Sequence, residues 1–285
     1  MGLGPPSIEL YRQLKLQGAF DGIGEVMELG SQDYWCPQRG QMAGLFQAFG
    51  RTLDTSLLDT TSTTQKPARL LYEALGFKYG CVDVDGRVGT VALDLNFDGV
   101  PAEHKGKYGF VTNHGTSEHI INQLNVFQAM HDFARPGALM LHAVPFTVHL
   151  EHGFFNYQPN FFEALARYNS YEMLGVWVGP DWQLASFIPW KPELLKFLVL
   201  NADTTHLLLV ILRKKHDQPF CVPFQGVYEP MMPEAATSRY SMVIDGEIAS
   251  GRSAKAITRQ NLGEVSGWDL VRELRRRIRR RISAR

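Results

Sequence analysis

Two stretches constrain this chain most. "THLLLVILRKK" and "EMLGVWVG" are apolar at successive positions rather than alternate ones, so both faces of each strand want burial. Apolar strands of this kind recur between helical segments from about residue 23 to 215. That alternation predicts an α/β fold, a mostly parallel sheet with helices on both faces. Further strands are predicted in "EVMEL", "KYGCVDVDG", "GTVALDLN", "YGFVTNHG" and "RPGALMLHAVP". Residues 8–20 have helical spacing of Ile8, Leu10, Tyr11, Leu14 and Leu16 and close on Gly18. "PARLLYEALGF" is a helix with Pro67 in its first turn and Gly76 at its end. "GQMAGLFQAF" and "NFFEALARYNSY" read as helices too. "SEHIINQLNVFQAMHDFA" is predicted as one helix, with Ser117 as N-cap and Glu118 in the first turn. Ile120, Leu124, Phe127 and Met130 or His131 would form its inner face.

Composition excludes some classes of function. The chain has 285 residues, 45% hydrophobic and 20% charged, with formal net charge +0. No global field draws it to nucleic acid, and no nucleic-acid partner is expected. The 3 cysteines, Cys36, Cys81 and Cys221, are far apart and lack metal-type spacing, which fits a reducing compartment. "MGLGPPSIEL" has no signal pattern, and Pro6 breaks the myristoylation pattern. Leu194 to Leu212 is interrupted by "NADTTH" and is too broken for a membrane helix. A soluble, cytoplasmic protein is expected. Charge is concentrated at the end of the chain, where Leu270, Leu274, Ile278 and Ile282 alternate with arginines at 272, 275–277 and 279–281. This amphipathic segment, 270–285, is a surface helix, an oligomer contact or a helix for an anionic membrane surface.

In open α/β sheets ligands bind beyond the carboxyl ends of the strands, where strand order reverses. The predicted strand ends carry Gly30-Ser31-Gln32-Asp33, Asp83 and Asp85, Asp94-Leu95-Asn96, Asn113-His114-Gly115, and His142. Singly, an Asp at a strand end is more often a turn or cap residue. "GIG" at 22–24 precedes its strand and is no dinucleotide fingerprint.

In their order, these strand ends resemble the class I S-adenosylmethionine-dependent methyltransferases over about residues 23–215. "VMELGS" looks like the family's first motif, "CVDVD" its second, "ALDLN" its third, "YGFVTNHGTSEHI" its fourth strand and following helix, and "FARPGALML" its turn into the fifth strand. The resemblance implies a Rossmann-like sheet of seven strands whose last, "HLLLVILRKK", is antiparallel. It implies S-adenosyl-L-methionine as cofactor. Glu28 and Gly30, with Ser31 in the same turn, would lie along the methionine part. Asp83 would hold the ribose, Asp94 and Leu95 would flank the adenine, and Asn113 and His114 would lie near the sulfonium. The family's first motif usually has three glycines. Here Gln32 and Tyr34 take the later two places, and must either leave room for the methionine moiety or fill it. Residues 31–66 read as an insert forming an extra helix or lid.

Methyl transfer from a sulfonium is an in-line displacement that the enzyme mainly positions; a hydroxyl acceptor also benefits from a base. Histidines cluster here, at His114, His119, His142, His149 and His152. Glu118 and His119 match an acid–His pair near the acceptor in similar family members. His152 follows the fifth strand, beside Phe154, Phe155 and Tyr157. His119, His152 and Glu118 are therefore the catalytic candidates; otherwise His119 packs its helix and His152 satisfies loop carbonyls. His149-x-x-His152 could ligate zinc, but its context is not helical, and no metal site is predicted. The expected organisation is an N-terminal helix (1–22), a methyltransferase-like domain (23–215) and an extension (216–285). The expected function is methyl transfer, O-directed, to a small-molecule or sugar acceptor. The alternative is an inactive methyltransferase-like protein that binds or assembles. Oligomerisation is left open.

Overall fold

The structure, a computed structural model, describes residues 2–87, 89–180, 185–199 and 204–225, with positions 231, 233, 240, 242–244 and 247–249. The basic segment 270–285 lies outside the described residues.

Seven strands build the sheet: β1 (Glu25–Leu29), β2 (Lys78–Asp83), β3 (Thr90–Ala92), β4 (Tyr108–His114), β5 (Ala134–Thr147), β6 (Glu172–Pro180) and β7 (His206–Arg213). They lie in the order 3-2-1-4-5-7-6, and a two-residue strand, Ile188–Pro189, adds an eighth at the β6 edge. Pairing is parallel from β3 to β5. β7 runs antiparallel to both β5 and β6, as the resemblance implies. β1 has β2 on one side and β4 on the other, so strand order reverses at β1 and β4. There the register sets Leu29 beside Asn113.

The strands are apolar at successive positions because they serve two cores. On one face Met27, Val111, Met140, Leu208 and Val210 pack with α4 (Gln123–Phe133) and α5 (Pro159–Tyr168). On the other Val26, Phe110, Leu139, Leu209 and Ile211 pack with α1 (Pro5–Leu16), α2 (Arg39–Ala48) and α3 (Ala68–Leu75). Gly76 closes α3 at φ 97°, in the left-handed region. Within residues 31–66, α2 turns Met42, Leu45 and Phe46 into the second core. A short ribbon pairs Asp33–Tyr34 with Lys66–Pro67. Tyr34 is fully buried there and donates its hydroxyl to the Leu57 carbonyl at 2.8 Å.

One predicted helix is broken. Residues 117–134 form a single 3-10 turn, Ser117–His119, and α4 begins at Gln123. Asn122 is its cap, accepting from the Asn125 amide at 3.2 Å. Ser117 instead receives Asn113 Nδ2 at 2.8 Å. Ile120 precedes the helix, and Leu124 is exposed rather than on the inner face. The cause is local competition for backbone amides. Asn113 Oδ1 accepts from Thr116 and Ser117 at 3.2 and 3.1 Å. Asn96 Oδ1 accepts from Ile121 and Asn122 at 3.1 and 3.3 Å.

Among the described residues His114, His131, His142, His149 and His206 are buried. Burial lowers His114 and His142 to about 3 and His131 to about 4. Below pH 6.5 the unfolded chain therefore takes up protons that the fold refuses, and the stability these imidazoles contribute is lost as pH falls from 6.5 toward 4. His142 lies between the rings of Phe127 and Phe162. Urea unfolding of His142→Phe should lose less stability between pH 7 and 5 than the wild type does.

Candidate active site at the carboxyl edge of the sheet

The parallel strands end along one edge, and the loops that follow them meet at the β1–β4 reversal, where sheets of this kind place their ligand crevice. Asp83 ends β2 half-buried. Its carboxylate accepts from the Ser31 amide at 2.7 Å and from the Val84 and Asp85 amides at 2.6 and 3.3 Å. A carboxylate has about four acceptor positions, so capacity for a further hydroxyl is small but present. Asp94 is half-buried in the next loop and accepts from the Asn96 amide at 2.9 Å. Leu95 beneath it is buried, and its carbonyl receives Asn125 Nδ2 at 2.8 Å. Arg87 lies across the mouth, within 3.0 Å of Asp85 and 3.3 Å of Asp33.

Gly30 needs its glycine, with φ 75° and no room for a Cβ. A Cβ there would collide with Thr116 Oγ1 and stand 2.7 Å from Gln32 Nε2. Gln32 donates to Thr116 Oγ1 at 2.8 Å, and Thr116 donates to the Leu29 carbonyl at 2.6 Å. Of the two residues replacing the family's later glycines, Tyr34 leaves for the core and Gln32 fills the space.

Glu28, Asn113 and His114 do not present surface to the crevice; each is at most 1% exposed. Asn113 is occupied in its turn, as above. His114 Nε2 shares a 2.7 Å hydrogen bond with the Tyr11 hydroxyl. Glu28 accepts from the Tyr79 hydroxyl at 2.7 Å and the Gln32 amide at 3.2 Å, while its Oε1 has no partner. Burial pushes the Glu28 carboxyl up to about 8, against the two hydrogen bonds. The positions expected near the methionine and the sulfonium thus lie behind the crevice. Ser31, Asp83 and Asp94 remain at its surface.

Beyond β4 and β5 the catalytic candidates come together. Glu118 is completely buried, and neither carboxylate oxygen has a hydrogen-bond partner. Burial raises its carboxyl to about 7, opposed by its own backbone amide. His152 Nε2 is 3.6 Å and His119 Nε2 3.9 Å from the same Glu118 oxygen. Both imidazoles are part-exposed, and burial lowers both from the ordinary histidine value. The loop bearing His152 is held by the Phe154 amide, which donates to the Glu118 carbonyl at 2.7 Å. It also bends through Val148 and Glu151 at φ 59° and 55°, strain that concentrates at functional sites. His149 turns aside and pairs with the His206 carbonyl at 3.0 Å.

Residue reading overlooked Thr116 and Gly153. Thr116 lies inside "YGFVTNHGTSEHI" but is given no role there. Gly153 sits between His152 and Phe154, and a Cβ there would stand 2.9 Å from the Glu118 carbonyl.

Comparison with known proteins gives a likeness in fold. No protein-family model matches the chain, and no curated protein matches it. Among solved structures, similar ones include a protein from Galdieria sulphuraria assigned provisionally as a sarcosine dimethylglycine methyltransferase, at 13% identity and TM-score 0.45, covering 73% of this chain and 85% of that one. Another is the Burkholderia thailandensis 1,6-didemethyltoxoflavin-N1-methyltransferase, solved with S-adenosylhomocysteine. It shows 13% identity and TM-score 0.40, over 74% of this chain and 80% of that one. A third is an S-adenosylmethionine-dependent methyltransferase from Mesorhizobium loti, at 11% identity and TM-score 0.39, over 70% and 95%. Each is a likeness in fold outline alone. The sheet order and the antiparallel β7 are those of the Rossmann-like class I methyltransferase fold.

The resemblance would set the nucleoside half of S-adenosylmethionine against Asp83, Asp94 and Leu95; Asp83 and Asp94 are half-buried, and the Asp83 carboxylate keeps acceptor capacity for a hydroxyl. The methionine half needs Gln32 to leave Gly30. Gly153→Ala should push the 150–155 loop off Glu118, at a cost of about 1–3 kcal/mol, read as a lowered midpoint in urea unfolding.

Proposed function

We propose that this protein is an S-adenosylmethionine-dependent methyltransferase acting on a hydroxyl of a small-molecule or sugar acceptor. One observation carries the reading. Half-buried Asp83 and Asp94 stand at and just beyond the carboxyl ends of β2 and β3, on one side of the β1–β4 reversal, and the Glu118–His119–His152 group stands on the other, along one edge of one sheet. The cofactor, when bound, supplies an electrophilic methyl group. The chain's own part is to seat it and to set the acceptor against the histidines. His119 and His152 handle the acceptor's proton, and Glu118 holds them in place. Phe154 is exposed in the same loop and is proposed to meet the acceptor, whereas Phe155 packs against the first core and Tyr157 is buried in it, donating its hydroxyl to Gln123 at 2.7 Å. Residues 23–215 are taken as the catalytic unit, with 31–66 inserted, 1–22 preceding it and 216–285 as an extension.

A second reading has its own observation. Gln32 and Thr116 occupy the space at Gly30, which suits a methyltransferase-like protein that binds or assembles without catalysis. Titration calorimetry with S-adenosylhomocysteine separates the two. The wild type should bind, Asp83→Ala should bind roughly 10–100-fold more weakly, and Gln32→Gly should bind more tightly. Absence of heat at millimolar ligand, in both the wild type and Gln32→Gly, would establish the second reading.

No helix among the described residues is long and apolar enough to cross a membrane. Segment 270–285 is proposed to lie on an anionic membrane surface through its arginines and the Leu270–Ile282 stripe. Deleting it should abolish co-sedimentation with anionic liposomes; unchanged sedimentation would remove the idea.

A further inference from the structure

We infer that Glu118, His119 and His152 form a binding site for a divalent transition-metal ion of zinc type. The inference deepens the methyl-transfer reading and rests on it for the ion's role, though not for its binding. It starts from an anomaly. A carboxylate as buried as that of Glu118 almost always has hydrogen-bond partners, because an unpaired buried charge is costly. Here both oxygens lack one. What does approach them is a pair of imidazole nitrogens, at 3.6 and 3.9 Å from the same oxygen. These separations exceed a normal hydrogen bond, so the three groups surround a gap more than they bond to one another.

The gap has the dimensions of a metal ion's ligand shell. One donor atom from each of the three residues lies within 4.8 Å of the other two. Ligands about 2.0–2.1 Å from a tetrahedral zinc stand roughly 3.3 Å from one another. Against that spacing the imidazoles, now 3.6 and 3.9 Å from the Glu118 oxygen, would move in by about 0.3 and 0.6 Å, and their own separation, which lies within 4.8 Å, would shorten by up to about 1.5 Å. The part-exposed imidazoles have freedom to make these shifts, while Glu118 is fixed.

The backbone supports the same arrangement. Two donors come from the 3-10 turn Ser117–His119, which the Asn113 side chain holds from behind. The third comes from the loop after β5, joined to that turn by the Phe154–Glu118 hydrogen bond and by the close approach of Gly153. His149 is not part of the group, since its Nε2 is engaged by the His206 carbonyl.

Donor chemistry selects the ion. Two imidazoles and a carboxylate suit zinc and its neighbours, whereas calcium and magnesium favour all-oxygen shells. Three protein ligands are the number found in catalytic rather than structural zinc sites. The remaining coordination position would receive the acceptor hydroxyl and make its proton easier to lose to solvent; with the ion bound, His119 and His152 would act as its ligands in place of taking that proton themselves.

The test uses the full chain, stripped with chelator, loaded with zinc sulfate and desalted. Metal content is read by mass spectrometry and affinity by competition with a chromophoric chelator. One zinc per wild-type chain is expected. Glu118→Gln and His152→Asn should each weaken binding by more than the roughly 10–100-fold that loss of an outer-shell partner costs. Because Glu118 is buried and its variant can misfold, His152→Asn, in a part-exposed loop, keeps the test decisive. Zinc absent from the wild type, or retained equally by both variants, overturns the site. Calorimetry with S-adenosylhomocysteine on the same samples keeps the two ideas apart. Cofactor binding without zinc leaves methyl transfer standing and removes the metal. Zinc binding without cofactor binding keeps the metal site and removes the methyl-transfer reading.

Discussion

Burial of the sheet on both faces governs the rest of the molecule. Successive residues of β1, β4, β5 and β7 feed two separate cores, which leaves little place for charge along the strands. Polar side chains within them must be neutral and paired, as His114 is with Tyr11 and Glu28 is with Tyr79. Charged groups are displaced to the loops at the carboxyl edge. Parallel pairing brings those loops together, so the groups that cannot enter the core meet around the reversal crevice.

Within that crevice one side-chain contact carries most weight. Gln32 and Thr116 bridge the end of β1 to the turn after β4 and cover Gly30. The contact satisfies polar atoms at the reversal point and competes with anything that would lie against the glycine. Opposite it, Glu118 presents the reverse condition, a buried carboxylate without a donor. One side of the crevice is satisfied by the chain itself. The other is completed by something from outside it.

Much of the fold was legible in the residues because it depends on hydrophobicity along the chain. β7 is apolar at six successive positions, Leu207 to Leu212, and could hardly be other than a central strand. The order of acids and glycine at strand ends was legible for the same reason: a strand's end shows where its apolar run stops. The split between Ser117–His119 and α4 was not legible. Helical spacing runs unbroken through it, and the amides that break it are captured by Asn113, at the end of the preceding strand, and by Asn96, from a separate loop. The burial of Asn113, His114 and Glu28 was hidden likewise, since a strand's end does not reveal which of its last residues still face a core.

By itself the sequence determined the α/β class, the parallel run of strands and the edge on which chemistry gathers, since these follow from the period and length of apolar segments. The tertiary structure alone decided that Gln32 fills the place of a glycine, that Tyr34 does not, and that Glu118, His119 and His152 converge. Those outcomes depend on contacts between residues 34 to 84 positions apart, set by how loops from different strands pack, and no local pattern encodes them.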